Sequence, residues 1–181
     1  MIKALMLGAG HSPLERKLSL TEEPVDEWVT LDMNEDANPD HEFDLNWIES
    51  YELPPRLRYL PFEYEIFDEI HAYDVLEHFG QQGNFKGFFR GWKEFWRVLK
   101  PGGILYGICP KYSDEWAFGD PGHTRVITFG TLGYLTKEMY ETLGQPGCNQ
   151  TDYRRFVDPC WWEAAAAEYT DKGIRFAMRK V

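Results

Sequence analysis

The sequence predicts an α/β fold: a mostly parallel seven-stranded sheet with an antiparallel C-terminal edge strand, the first helix short or absent, and a single domain over 1–181. Three observations predict it. An apolar run at 2–7 ends in Gly8-Ala9-Gly10, a strand followed by a sharp turn that lets a ligand approach the backbone. A second apolar run at 66–73 ends in polar residues; an aromatic helix follows and then, across Pro101-Gly102-Gly103, a third run at 104–108. Strand, helix and strand in that order make a right-handed crossover between parallel neighbours. The last segment, 173–181, alternates, with Ile174, Phe176 and Met178 on one face, and reads as the antiparallel edge.

Composition narrows the function classes. A chain of 181 residues, 43% hydrophobic and 16% aromatic, can bury a sizeable core and is not disordered. The net charge of −11, from 19 Lys and Arg against 30 Asp and Glu, argues against a nucleic-acid partner, which needs clustered cations. Lys86, Arg90, Lys93, Arg97 and Lys100 are the candidate basic patch; their spacing reads more simply as the solvated face of one helix. Cys109, Cys148 and Cys160 form no CxxC pair, which argues against a zinc site and for a reducing, cytoplasmic setting. The N-terminal apolar run is too short for a signal-peptide core, and no run approaches the ~18 residues of a membrane span. Nothing in the sequence sets an oligomeric state.

In chain order, 12–20 has room for a short helix with Pro13 near its first turn. Residues 28–34 are strand two and carry Asp32, 22 residues after Gly10. An acid there can accept both hydroxyls of a ribose, or simply end the strand. Residues 43–45 look like a very short strand three with Asp44 at its tip; Asp44 can also cap the turn at 46–49. Strand four runs over 66–73 and Asp74 ends it. Glu77 and His78 have the form of an acid–base pair, though a structural or ligand-side role is the preferred reading. Asn84 can cap the next helix, whose Phe88, Phe89, Trp92 and Phe95 recur at helical spacing and should pack on the sheet. Pro101 should stop that helix, Gly102-Gly103 make the turn, and 104–108 form strand five. Beyond it the sequence predicts a helix over 130–143 with Thr131 as cap, a strand at 153–157, a helix over 161–169 from Ala164-Ala165-Ala166-Ala167, and the last strand.

Two stretches carry a resemblance. FDEIHAYDVLEHF at 67–79 followed by FWRVLKPGGILYG at 95–107 resembles the small class I methyltransferases that use S-adenosylmethionine. Leu60-Pro61-Phe62 and Asp120-Pro121-Gly122-His123-Thr124-Arg125 are similar to further pieces of that family, an LPF before strand four and a D-P-x-H-x-R after strand five. The resemblance covers about 2–145. It implies a Rossmann-like fold, S-adenosylmethionine as cofactor, and transfer of a methyl group to an O or N nucleophile. It implies that Gly8, Ala9, Gly10, Asp32 and Met33 meet the ribose side of the cofactor, and that Asp44 and Leu45 lie by the adenine. Tyr73, Asp74 and Val75 would flank the methionine half, with His78 on the cofactor side and the segment at 120–126 over the methyl donor. His123 and Asp74 are the catalytic candidates, His123 as a base for the acceptor's proton; the plainer alternative is that His123 and Arg125 only order their loop through Asp120. Such transfer depends on alignment more than on covalent chemistry, so neither a catalytic triad nor a metal cluster is expected. A small molecule or sugar is the expected acceptor, or a partner protein that completes the pocket. The runner-up is a catalytically degenerate binding or assembly module, because Met6 stands where an acid is common and the glycine pattern is thin. A nicotinamide oxidoreductase is a weaker third reading, since VLEH and RVLKPGG are not expected there.

Overall fold

The computed structural model describes residues 1–11, 14–50, 52–146, 148, 150–171 and 173–181. The strands are β1 (Lys3–Leu7), β2 (Glu27–Asp32), β3 (His41–Glu42), β4 (Phe67–Tyr73), β5 (Leu99–Pro110), β6 (Trp162–Tyr169) and β7 (Gly173–Lys180), with the long helix α1 (Phe85–Val98) between β4 and β5. Among the described residues they form one seven-stranded sheet in the order β3-β2-β1-β4-β5-β7-β6. β1 to β5 pair in parallel, β7 is antiparallel to β5, and β6 is antiparallel to β7. The order reverses beside β1, and ligands of open α/β sheets bind at the carboxyl ends of the strands at such a point.

α1 forms because Asn84 accepts a hydrogen bond from the Gly87 amide at its start and an apolar stripe runs down one side. That stripe buries Phe88, Phe89, Trp92 and Phe95 against Leu5, Leu7, Ile70 and Leu105 of the sheet. At about 1.5–3 kcal/mol per buried large side chain, this face supplies much of the driving force for the fold. Four residues of the basic cluster make contacts of their own: Arg97 reaches Glu94 and the Leu60 and Phe62 carbonyls, Lys93 the Asp158 carbonyl, Arg90 the Ile48 carbonyl, and Lys100 the Asp68 carboxylate of β4.

The opposite face has a smaller core of Met6, Tyr73, Tyr106 and Ala177. An extended segment covers it where a first helix would lie. The Tyr73 hydroxyl accepts hydrogen bonds from the Lys17 and Leu18 amides, and the Tyr106 hydroxyl accepts one from Leu20. Arg16 forms an ion pair with Glu69 at 2.6 Å. Residues 14–20 hold no helix; the Pro13 end of the expected one lies outside the described residues.

His71 sits under this segment with none of its surface exposed, between the Tyr73 hydroxyl at 2.5 Å and Glu69 at 2.9 Å, stacked on Tyr106. Tyr73 already accepts two amides, so its one proton points at His71 Nδ1, and Nε2–H donates to Glu69. Burial pushes the His71 pKa below its usual 6.5, against the pull of Glu69 and with a small push from Arg16. The unfolded chain therefore takes up a proton below that pH that the folded chain refuses, and stability falls as pH drops. Thermal melts between pH 8 and pH 5 are expected to show a declining Tm, with a shallower decline in a His71→Asn variant; equal slopes would remove His71 as the cause.

Several expectations are corrected. Strand three is His41–Glu42, not 43–45, because the Asp44 carboxylate caps the next turn by accepting from the Asn46 amide. β5 begins at Leu99, directly after α1, and residues 100–103 bulge out of the strand, since Phe67 pairs with Leu99 and Glu69 with Ile104. Gly103 is needed inside that bulge: a Cβ would stand 2.9 Å from the Lys100 carbonyl oxygen. The predicted helix over 130–143 is a five-residue helix α2 (Phe129–Gly133), capped by Thr128 and not by Thr131, and a later turn at Glu138–Tyr140. Helix stops there because Thr136 bridges to Trp162 and the Leu135 carbonyl accepts from the Trp162 amide.

The last third inverts two expectations. Residues 154–157 are a short helix, not a strand, and the alanine run is β6, not a helix. Pairing with β7 overrides alanine's helix propensity, and Trp162 anchors the strand by burying against Trp92. The edge of the sheet is therefore β6, with β7 one position inside it.

Candidate donor site

A cavity of about 450 Å³ opens at the carboxyl ends of β1, β2 and β4. Gly8, Asp32, Met33, Asp44, Leu45, Asp74, Val75 and His78 line it, so residues from four separate stretches of sequence meet there.

The turn after β1 is held by the Gly8 amide, which donates to the Leu31 carbonyl at 2.8 Å. Gly8 has a φ of 60°, and a Cβ there would stand 2.7 Å from Val75 Cγ2. Only glycine lets this turn pass so close to the end of β4. The Gly10 amide donates to Asp32 Oδ2 at 2.8 Å, and the Asn34 amide to Oδ1 at 2.8 Å. The Asp32 carboxylate is thus fixed in place, and each oxygen keeps a lone pair for a further donor. Asp44 is oriented in the same way by the amide and side chain of Asn46.

Asp74 ends β4 with its amide on the Ile108 carbonyl at 2.8 Å and a φ of 55°. A non-glycine residue in that region is uncommon, and Asp is among the few that tolerate it. The bend swings the chain away from the sheet, leaving Asp74 exposed and Val75 over Gly8.

The other candidates lie around the rim or behind it. Met33 is exposed at the lip and Leu45 is buried. Ala9 and the Tyr73 ring turn to the opposite face, where they pack with Met6 and Leu18. His123 does not line the cavity; its ring meets the His78 ring edge-on at 4.6 Å, and His78 does line it. Asn46, Phe79, Gly122 and Thr124 also line the cavity; Gly122 and Thr124 belong to the 120–126 segment expected over the methyl donor, while Asn46 and Phe79 were not among the site candidates. Asn46 carried a signal in the turn that Asp44 caps, and Phe79 closes the turn that holds His78; Gly122 and Thr124 take their places through long-range loop contacts.

Those contacts run through Glu77 and Arg125. The Glu77 carbonyl accepts from the Thr124 and Arg125 amides, which hangs the 120–125 loop on the turn after β4. The Glu77 side chain is 2% exposed, and both carboxylate oxygens lack a hydrogen-bond partner. Burial, with the nearby Asp74 charge beside it, leaves its carboxyl pushed up to about 7, against weaker pulls from its own backbone amide, the Cys109 thiol and His123. Arg125 is equally buried and reaches Glu49 at 3.4 Å and the Gln81 carbonyl at 2.8 Å. It does not reach the cavity.

Residues 14–107 match the family described as "Methyltransferase domain", and the chain belongs to that family. No curated protein matches it in sequence. In structure it is similar to a SAM-dependent methyltransferase from Archaeoglobus fulgidus, with 13% identity, a TM-score of 0.53, and coverage of 99% of this chain and 86% of the other. It is similar to an S-adenosylmethionine-dependent methyltransferase from Mesorhizobium loti, with 15% identity, a TM-score of 0.53, and coverage of 98% and 90%. It is also similar to the N-methyltransferase NodS from Bradyrhizobium japonicum in complex with S-adenosyl-L-homocysteine, with 10% identity, a TM-score of 0.54, and coverage of 99% and 78%. At these identities the likeness is one of fold.

Proposed function

We propose that the chain moves a methyl group from S-adenosylmethionine to an oxygen or nitrogen of a small-molecule or sugar acceptor. S-adenosylmethionine is the cofactor. The observation that carries the reading is the donor set. Three carboxylates, Asp32, Asp44 and Asp74, surround the cavity, and no Lys or Arg is among its described lining residues. That set suits the ribose hydroxyls, exocyclic amine and positive sulfur of this cofactor. It would repel the pyrophosphate of a nicotinamide dinucleotide, which argues against the oxidoreductase reading. The bare backbone at Gly8 adds a close approach that a Cβ would close.

Bound there, the cofactor supplies a methyl group on a sulfonium already activated for displacement. Asp32 would accept the ribose hydroxyls, while Asp44 and Leu45 would meet the adenine. The backbone at Asp74 and Val75 would flank the methionine end, with His78 beside it. Asp74 and His123 are the groups that would manage the acceptor's proton. Cys109, Cys148 and Cys160 are all free thiols, which supports a reducing, cytoplasmic setting. Among the described residues, no helix is long and apolar enough to cross a membrane.

Calorimetric titration with S-adenosylhomocysteine tests the reading. Saturable binding in the micromolar range is expected, and no heat at millimolar ligand would overturn it. With donor labelled in the methyl group, label should pass to small hydroxyl or amine acceptors and not to the chain alone.

A further inference from the structure

We propose that Glu77, His78 and His123 form a binding site for one divalent first-row transition-metal ion beside the donor cavity. One ligand atom from each of the three lies within 4.8 Å of the others. Atoms around an ion at about 2.1 Å sit roughly 3–4 Å apart, so the cluster must contract by about 1 Å. His78 is exposed and can make that adjustment.

Two independent features point to a ligand. The first is Glu77 itself. A carboxylate 2% exposed with both oxygens unpartnered is a costly thing to bury. His123 is a cationic group that acts on it, and the two imidazoles of the cluster are both otherwise occupied. The second feature is how they are occupied. His78 Nδ1 faces the Gly122 carbonyl oxygen at 3.0 Å, and His123 Nδ1 faces the Trp116 carbonyl oxygen at 2.7 Å. A carbonyl only accepts, so each Nδ1 carries the proton in the neutral ring and each Nε2 keeps its lone pair. Metal-binding histidines are oriented in this manner, with the far nitrogen donating to a backbone carbonyl. Asp120 adds a second carboxylate 3.9 Å from His123 Nε2.

Two imidazoles and one carboxylate select Zn²⁺, Mn²⁺, Co²⁺ or Fe²⁺ over Mg²⁺ and Ca²⁺, which prefer oxygen donors. Three protein ligands leave coordination positions for water or for an acceptor oxygen. His78 both belongs to the cluster and lines the cavity, so the ion would stand where the acceptor enters. On the proposed methyltransferase reading, the acceptor is then a hydroxyl-bearing molecule that gives its oxygen to the ion. His123 would act through the ion, leaving the exposed Asp74 as the proton acceptor.

The site is tested with the metal alone. The full chain, treated with chelator and dialysed, is titrated with Co²⁺ followed by visible absorbance and with Zn²⁺ by calorimetry. One equivalent should bind with micromolar or tighter affinity, and excess Mg²⁺ should not displace it. His123→Ala and Glu77→Gln should each weaken Zn²⁺ binding at least tenfold while keeping the circular dichroism of the parent. Absence of saturable binding, or unchanged affinity in a folded His123→Ala chain, overturns the proposal. Titration of the metal-free chain with S-adenosylhomocysteine separates the two readings. If the nucleoside binds and the metal does not, the ion site falls and the donor site stands; the reverse result retires the donor site alone.

Discussion

An Asp32→Ala chain is expected to bind S-adenosylhomocysteine at least 100-fold more weakly than the parent while remaining folded. Asp32 sits at the end of β2, and its two oxygens already accept the Gly10 and Asn34 amides at 2.8 Å each. As proposed, their remaining lone pairs take the ribose hydroxyls. Hydrogen bonds to a charged acceptor contribute about 1.5–3 kcal/mol each. Losing the pair costs about 3 kcal/mol of binding, or about 100-fold. The substitution also frees the Gly10 amide, so the turn after β1 loses the contact that aims it. Asp32→Asn separates the two effects. The amide oxygen can keep one backbone contact, but the charge is gone and one ribose acceptor with it, so an intermediate loss of about tenfold is expected. Calorimetric titration measures both, and a dissociation constant within threefold of the parent for Asp32→Ala would remove Asp32 from the donor site.

Much of this arrangement was legible in the sequence because it is built from local signals. A glycine turn after an apolar run, an acid at a fixed distance beyond it, and a polar end on β4 each mark the carboxyl edge of a parallel sheet. The cavity brings together Gly8, Asp32, Asp44, Asp74 and His78, which lie up to 70 residues apart. The opposite face was harder to read. Tyr73 looks like part of the same polar end, yet strand alternation turns its ring away to hold the Lys17 and Leu18 amides.

The C-terminal third failed for a different reason. Ala164-Ala165-Ala166-Ala167 has strong helix propensity and carries no pattern of its own. What makes it a strand is β7, whose backbone is available only after the chain has turned back. The stretch at 130–143 is cut short by a bridge to Trp162, again a partner distant in sequence. The cluster of Glu77, His78 and His123 shares this character. His123 is 45 residues beyond His78, and long-range hydrogen bonds, from the 120–125 loop to Glu77 and between His78 and the Gly122 carbonyl, bring the rings together.

The residue that holds that loop in place is Arg125, and its removal is expected to have the largest effect on stability. An Arg125→Ala chain should be less stable by about 3–5 kcal/mol, the usual cost of breaking a buried ion pair from one side. The guanidinium is 5% exposed and does several jobs at once. It pairs with Glu49 at 3.4 Å, donates to the Phe79 carbonyl at 3.2 Å and the Gln81 carbonyl at 2.8 Å, and stacks over Phe88 at 5.1 Å. Without it, Glu49 is left buried with Asn84 as its close side-chain partner at 2.6 Å. Burial already raises the Glu49 pKa, and Arg125 is the main charge pulling it back. For a chain of this size, about 2–4 °C of Tm accompanies each kcal/mol, so a fall of about 10 °C is expected. Arg125→Lys should recover little of it, because one ammonium cannot span the same carbonyls and carboxylate. A Glu49→Gln, Arg125→Met double variant should recover much of it, because no unpaired charge then remains inside. Thermal melts decide the matter: a fall under 3 °C for Arg125→Ala would mean that the loop is held by its backbone contacts to Glu77. In that case the Arg of the D-P-x-H-x-R segment would need another explanation than loop anchoring.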